Sequence, residues 1–359
     1  MKIATALINR TALLNNLKLI KKIAANSRIL AIVKSNAYGH GLIEVSKIIQ
    51  KSVEAFGVAR LNEALLIRNS GIIKPIILLE GFFKKDDLSI IIENKIDIIV
   101  HCIEQLEILE NFEFSKPLKV WMKLDIGMHR IGVQPKDAEQ FYLRLQKCKN
   151  ILLPINIISH FSISNIPHLH VTKKQINIYK NFISNKIGEK SISASAGILF
   201  WPEAHYDWIR PGIIMYGVSP QNNKKGSDFN LQPVMTFKTI LIAIRKHFAN
   251  EYAGYGKFWK SNKNTYLGVI AVGYGDGYLS NIPIKTPVLI NGRRVPIVGK
   301  ISMDMTIIDL GINSYDKVGD EVTLWGENFP IEEVASLSNI SSYELLTKLT
   351  SRVTIEYVN

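Results

Sequence analysis

The sequence predicts an α/β fold, a (β/α)8 TIM-type barrel followed by a mainly β C-terminal domain. Through the first two thirds of the 359 residues, short apolar runs alternate with amphipathic stretches whose apolar residues recur at three- and four-residue spacings. Strands that alternate with helices pair in parallel. Eight candidate strands occur there, the number that closes a (β/α)8 barrel, with an open doubly wound sheet as the alternative. From residue 233 the texture changes to runs of Val, Ile and Thr separated by turn residues, which reads as a β domain.

In chain order the candidate strands are ILAIVKS (29–35), AFGVAR (55–60), PIILLE (75–80), DIIV (97–100), LKVWMKLD (118–125), INIISHF (155–161), SISAS (191–195) and GIIMYG (212–217). Between them LIEVSKIIQKS, LNEALLIRNSG, IEQLEILENF and DAEQFYLRLQKC have helical periodicity, and Gly71 stands where a C-terminal cap belongs. The polar, breaker-rich QNNKKGSD (221–228) reads as part of a link, which sets the domains at 1–232 and 233–359. In the second domain VMTFKTILIAIRK, NTYLGVIAVGYGDGY, TPVLINGRRVPIVGKISMDMTIIDL and DEVTLWG carry the strands, and Asn291-Gly292 signals a type I′ hairpin. No internal repeat is visible.

Composition narrows the function. An apolar fraction of 47% with 21% charged residues is that of a globular protein, not a disordered or fibrous one. The N-terminus has no apolar stretch long enough for a signal peptide, and no segment has the apolar length of a membrane span. Cys102 and Cys148 lack CxxC spacing and a nearby histidine pair, so neither a disulfide framework nor structural zinc is expected, and a reducing cytoplasm fits. His168 and His170 have no third ligand and read as surface residues. The net charge of +13 comes from scattered lysines, which suits a solvated surface that attracts small anions better than a nucleic-acid groove. GYGDG, near residue 275, lacks the GxGxxG spacing of a dinucleotide site.

One stretch carries chemistry. AIVKSNAYGHG (31–41) ends an apolar strand on Lys34, and Tyr38, Gly39 and Gly41 follow. A strand-end lysine is most simply one that reaches solvent. In a barrel, however, reactive groups stand at the C-terminal ends of strands, and a desolvated amine loses its proton more easily and can form a Schiff base with a carbonyl.

This stretch resembles the pyridoxal phosphate attachment motif of the alanine racemase family. KLDIGMHRIG (123–132), SHFSISN (159–165), SASAGILFWP (193–202), WIRPGIIMYG (208–217), YGKFW (255–259), VGYGDGY (272–278), GKISMDM (299–305) and VGDEVTLWG (318–326) continue the resemblance in order over nearly the whole chain. It implies that Lys34 carries pyridoxal 5′-phosphate as a Schiff base and, once released, acts as one of two bases. Racemisation needs the second on the opposite face, because a single base would return the proton to the side it left. Tyr255 is implied for that role, with His160 and Arg210 in the network that supports it and Arg210 opposite the pyridine nitrogen.

The same resemblance implies that Tyr38, Ser195, Gly212, Ile213 and Tyr357 hold the phosphate, and that Arg130 and the backbone amide of Met303 hold the substrate carboxylate. Lys123 braces Arg130 and is carbamylated in some members, and Tyr274 belongs to the substrate entryway. Ile126 and Ala194 depart from the family's usual Thr and Asn, each removing a polar side chain near the cofactor. The implied protein is a cytoplasmic, head-to-tail homodimer in which Tyr255, Tyr274 and Met303 reach the other subunit's Lys34, making D-alanine for peptidoglycan. Alternatives are a broad-specificity or serine racemase, a fold-related decarboxylase with a longer chain, and a non-catalytic pyridoxal phosphate barrel, which would lack the β domain. No membrane or nucleic-acid partner is implied.

Overall fold

The computed structural model describes residues 3–113 and 115–359. The chain divides into two compact units. One comprises Leu17–Ala37 and Gly41–Met215; the other takes the N-terminal segment through Asn16, Tyr38–His40 and Tyr216–Asn359. Strand β1 (Thr5–Asn9) therefore belongs to the second unit, although it lies in the stretch assigned from sequence to the barrel.

The barrel unit closes eight parallel strands: β2 (Arg28–Ile32), β3 (Ala55–Val58), β4 (Ile76–Leu78), β5 (Ile96–Val100), β6 (Leu118–Lys123), β7 (Ile151–Ile158), β8 (Lys190–Ala194) and β9 (Trp208–Arg210). The ring closes where Arg28 and Ile29 of β2 pair with Trp208 and Ile209 of β9. Leu30, Ala31, Phe56, Val58, Ile98, Val120 and Ile157 are fully buried. Both strand faces are covered, which is why these segments read as continuous apolar runs without alternation. The four segments with helical periodicity form helices at Leu42–Ile49, Leu61–Asn69, Ile103–Asn111 and Pro135–Lys147, and Gly71 has the positive φ of 89° expected of a cap.

One strand stands elsewhere than the sequence suggests. The eighth barrel strand is Trp208–Arg210, and GIIMYG is not a strand, because Ile213–Tyr216 make a short 3-10 turn. Pro211 has no N–H to continue the pairing. The run is apolar because Ile213, Ile214, Met215 and Tyr216 are fully buried, and a short buried run has no period to separate turn from strand.

The second unit is built on β10 (Met235–His247), β11 (Tyr252–Ala253), β12 (Trp259–Lys260), β13 (Thr265–Ile270), β14 (Pro287–Ile290), β15 (Arg293–Val298), β16 (Thr306–Gly311), β17 (Glu321–Trp325) and β18 (Thr354–Val358). Eight of its strands run in the order β13-β16-β15-β14-β17-β10-β1-β18. The long β10 pairs with β1 and β17 through its first half and with β13 through its second. Asn291 and Gly292 have φ of 48° and 75°, the left-handed pair that a type I′ turn requires. Trp325 is fully buried, with its ring 4.8 Å from Phe237 and 6.1 Å from Tyr278. Each such aromatic pair adds about 0.5–1.5 kcal/mol beyond its buried area.

Among the described residues no helix is long and apolar enough to cross a membrane, and no group of three or more His, Cys, Asp or Glu could hold a metal ion.

The barrel contains one carboxyl far from its ordinary range. Burial pushes Asp97 on β5 up to about 6, against the pull of Lys119 and with the push of Glu189. The folded protein thus keeps this proton to higher pH than the unfolded chain, so stability is lost as pH rises from about 4 through about 6. Asp97→Asn is expected to stabilise the fold at pH 8 by an amount on the order of 2–3 kcal/mol and to add little at pH 4. Melting curves at the two pH values check this, and an equal shift at both would contradict it.

Candidate active site

The geometry begins at Lys34, just beyond the C-terminal end of β2. Ile32 N–H donates to the Pro211 carbonyl at 3.0 Å and Val33 N–H to that of Gly57 at 3.0 Å, which extends the barrel pairing to the residue before the lysine. Burial pulls the Lys34 amine down from its ordinary pKa; Glu80 and Glu63 oppose this, and Arg130 and Arg60 add to it.

The backbone then makes a left-handed turn, with φ of 53–54° at Ser35, Asn36 and Ala37. Non-glycine residues resist this conformation by roughly 1–2 kcal/mol each. Local bonds offset the strain: Ala37 N–H donates to the Val33 carbonyl (2.8 Å) and Gly41 N–H to that of Asn36 (2.9 Å). The Asn36 side-chain oxygen accepts from Leu42 N–H at 2.8 Å, and Ser35 N–H donates to Glu63 at 2.7 Å. The small residues and asparagine after the lysine are thus the ones this turn tolerates.

Arg210, at the end of β9, is buried and tethered at four points. It donates to Ser191 Oγ (2.7 Å), the carbonyls of Ser159 (2.6 Å) and Ile192 (3.1 Å), and His160 Nδ1 (3.1 Å). Burial lowers the Arg210 guanidinium to about 10, which leaves it charged at neutral pH. Burial, then the cations Arg210, Lys123, Arg130 and Lys34, hold His160 well below its ordinary range. Arginine only donates, so Nδ1 of the neutral imidazole accepts and the proton sits on Nε2. Lys123, the last residue of β6, is pulled down to about 7 by burial and then by Arg210, Arg130 and Lys34.

Arg130 stands on a closed loop. Asp125 N–H donates to the Val133 carbonyl (2.9 Å) and Val133 N–H to that of Lys123 (2.8 Å), which closes the neck. Asp125 Oδ1 accepts the N–H groups of Gly127, Met128 and His129 at 2.9–3.1 Å, and Oδ2 accepts from His129 Nδ1 at 3.1 Å. The sequence reading did not single out Asp125; an Asp two residues before a turn glycine was the available signal. Ile126, on the same loop, is buried.

Ser195 follows Ala194, the last residue of β8, and its Oγ accepts from Gly212 N–H at 3.0 Å. Gly212 and Ile213 follow the eighth barrel strand, where the sequence reading had them opening it.

The remaining residues lie in the second unit. Tyr38 stacks on Tyr216 with ring centres 4.9 Å apart and tilts against Tyr343 at 5.9 Å, and burial raises its phenol above the ordinary range. Tyr343, itself pushed by burial up to about 12, was not anticipated from sequence. The Tyr357 hydroxyl donates to the His40 carbonyl at 2.9 Å, and His40 Nδ1 donates to the carbonyl of Tyr38 at 2.8 Å. Gly39 has no substitute, because a Cβ there would stand 2.1 Å from the Leu346 carbonyl oxygen.

Tyr255 lies between Gly254 and Gly256, both at positive φ, and is 73% exposed. Tyr274 and Met303 are neighbours, since Tyr274 N–H donates to the Ser302 carbonyl (3.0 Å) and Gly275 N–H to that of Met303 (2.9 Å). Tyr255, Phe258, Tyr274, Met303 and Met305 are each exposed.

The barrel unit therefore gathers Lys34, Lys123, Arg130, His160, Arg210, Ser195, Gly212 and Ile213, while the second unit carries Tyr38, Tyr357, Tyr255, Tyr274 and Met303. A closed parallel barrel that sets a desolvated amine at one strand end, among arginines and a neutral histidine, has the build of a barrel enzyme, whose reactive groups stand at the C-terminal ends of the strands.

Family models agree. That for the alanine racemase N-terminal domain matches residues 8–220, and that for the alanine racemase C-terminal domain matches residues 234–357. The chain belongs to the alanine racemase family. It is 53% identical over 360 residues to the biosynthetic alanine racemase of Escherichia coli O6:H1, with 100% of each chain covered. It is also 53% identical to the alanine racemase of Edwardsiella ictaluri, covering 100% of this chain and 99% of that one. Among solved structures, biosynthetic alanine racemase from Pseudomonas aeruginosa superposes with a TM-score of 0.96 at 34% identity, covering 100% of both chains. The alanine racemase of Acinetobacter baumannii does so at 0.93 and 35%, with the same coverage.

Proposed function

We propose that this protein interconverts L- and D-alanine with pyridoxal 5′-phosphate, in the cytoplasm, and so supplies D-alanine for peptidoglycan. The observation that carries the reading is the half-buried Lys34 amine beyond the end of β2, its pKa lowered by desolvation and by Arg130 against the opposing pull of Glu80 and Glu63. The donor set suits the cofactor. A depressed amine suits its aldehyde, and the backbone N–H groups around Gly212 with Ser195 Oγ suit its phosphate, with Tyr38 as a further donor and Tyr357 as one once its hydroxyl turns from the His40 carbonyl. The buried, four-point-tethered Arg210 suits its ring nitrogen.

When bound, pyridoxal phosphate supplies the electron sink that makes the Cα–H of an attached amino acid acidic. The chain supplies the rest. Arg130 and the Met303 N–H hold the substrate carboxylate. In one direction Lys34 Nζ receives the Cα proton while the Tyr255 hydroxyl donates its own to the opposite face. In the reverse direction the Tyr255 phenolate receives and the Lys34 ammonium donates. Arg210 keeps its own proton, so the ring nitrogen stays unprotonated and electron withdrawal stays moderate, which disfavours transamination. The neutral His160, bonded to Arg210, belongs to the network around the phenol.

Lys123 is an amine poised to take up carbon dioxide. Its pKa of about 7 leaves much of it neutral at physiological pH, and a carbamate there would place a negative charge among Arg130, Arg210 and Lys34. Tyr274 lines the substrate entryway. The exposed Tyr255, Tyr274 and Met303 support a head-to-tail homodimer in which they complete the site around Lys34 of the other subunit.

Chiral chromatography of the purified protein with pyridoxal phosphate and L-alanine, L-serine or L-lysine tests the reading, alongside a visible spectrum and light scattering. Equal amounts of L- and D-alanine are expected at equilibrium, with serine and lysine slower, an absorbance band above 400 nm and a dimeric mass. A protein that stays colourless after cofactor addition would sink the reading, and a fully active monomer would refute the shared site.

A further inference from the structure

The GYGDG motif has no part in the proton transfer, and the structure gives Gly273, Gly275 and Asp276 a mechanical use. A Cβ on Gly273 would stand 2.2 Å from the Ser302 carbonyl oxygen and 2.3 Å from that of Met303, so only glycine lets the two loops touch. A Cβ on Gly275 would stand 2.4 Å from an Arg352 guanidinium nitrogen. Asp276 is buried; its Oδ2 accepts from Gly273 N–H at 2.9 Å and its Oδ1 forms an ion pair with Arg352 Nε at 3.1 Å. Arg352 Nη2 then reaches Asp304 at 2.8 Å. The motif is a seat for one guanidinium, and that guanidinium bridges to the residue next to Met303.

The fastening is divided between Thr350 and Arg352, two residues apart. Thr350 holds the 273–277 turn without help from the guanidinium, donating Oγ1–H to the Gly275 carbonyl at 2.8 Å and N–H to that of Asp276 at 3.2 Å. From this segment the side-chain bond to the 302–305 loop is that of Arg352 to Asp304. Met303 and Asp304 are otherwise exposed, and the backbone tie to the loop from the Tyr274 turn is the pair of bonds to Ser302 and Met303. Loss of the guanidinium would leave the turn in place and loosen the loop that presents the Met303 N–H.

We infer that Arg352 is a positioning residue for substrate binding: it fixes the 302–305 loop so that the Met303 amide meets the substrate carboxylate. This rests on the alanine racemase reading given above. A fork of donors is needed, because a lysine ammonium is a single point charge and cannot hold Asp276 and Asp304 in the same geometry.

The test is steady-state racemisation of both alanine enantiomers by the cofactor-loaded dimer with Arg352→Gln, Arg352→Lys, Asp304→Asn and the Arg352→Gln/Asp304→Asn double variant. Arg352→Gln is expected to raise KM about fivefold, in keeping with a half-exposed ion pair, while kcat stays within about twofold. Arg352→Lys should fall between. The double variant should be no worse than the more impaired single one, because both remove the same link. Cofactor absorbance, dimer mass and melting temperature should match the unaltered protein. A KM that does not move in Arg352→Gln overturns the assignment, as does a joint fall of kcat, dimer mass and melting temperature, which would mark a merely structural residue. Failure of the reading beneath it has a different sign: the unaltered protein itself would not racemise alanine.

Discussion

Lys34→Ala is expected to lower racemisation by at least about 10⁴-fold, because the substitution removes the covalent anchor of the cofactor and one of two bases together. The absorbance band above 400 nm should vanish, even where pyridoxal phosphate is retained by its phosphate contacts. The fold should not suffer. A lysine whose pKa is lower in the folded protein than in the unfolded chain makes the fold less stable at neutral pH, so the variant should melt at the same or a higher temperature. Loss of activity at an unchanged melting temperature separates a chemical role from a structural one. Substantial turnover in Lys34→Ala, measured by chiral chromatography, would remove the basis of the proposed mechanism.

Tyr255→Phe should lower racemisation by about 10³-fold, the middle of the range that a positioned acid or base contributes, and it should do so in a diagnostic way. The side chain is 73% exposed in the single chain, so deleting its hydroxyl should leave stability unchanged. Lys34 remains, and with it the visible band. With one base left, the enantiomer whose Cα–H faces Lys34 should exchange that hydrogen with deuterated solvent yet keep its configuration. Rapid inversion in Tyr255→Phe would rule out the two-base assignment.

The two variants together test the shared site. In a statistical mixture half the dimers are hybrids, and each hybrid has one site with both lesions and one with neither, so about a quarter of the unaltered activity should return. No recovery on mixing would place both groups on one subunit.

Much of this was legible in the order of residues. The period of the barrel segments follows from strands buried on both faces and helices buried on one, and that pattern survives in a bare sequence. Asn291-Gly292 declares its turn because few residues other than asparagine and glycine accept two consecutive positive φ angles. The eighth barrel strand was misplaced because Ile213–Tyr216 are as apolar as a strand while serving as a buried turn. Strand β1 was missed because its five residues become a strand by pairing with Lys238–Met235 and Thr354–Val358, partners more than two hundred residues away. Asp125, Tyr343 and Arg352 went unnoticed for a related reason: each acts through bonds or ring contacts to groups that ordinary residue patterns do not mark.

The sequence by itself determined the reactive groups and the kind of frame that presents them: an amine ending a barrel strand, a distant phenol between glycines in a β domain, and arginines for anions. Only the tertiary structure decided what state those groups are in. Lys34 and Lys123 lose affinity for their protons, and His160 stays neutral, because burial removes water from amines and an imidazole that other cations already crowd. Desolvation and through-space charge depend on which atoms the fold brings within a few ångströms, and residues remote in sequence, such as Arg210 beside His160, supply most of them.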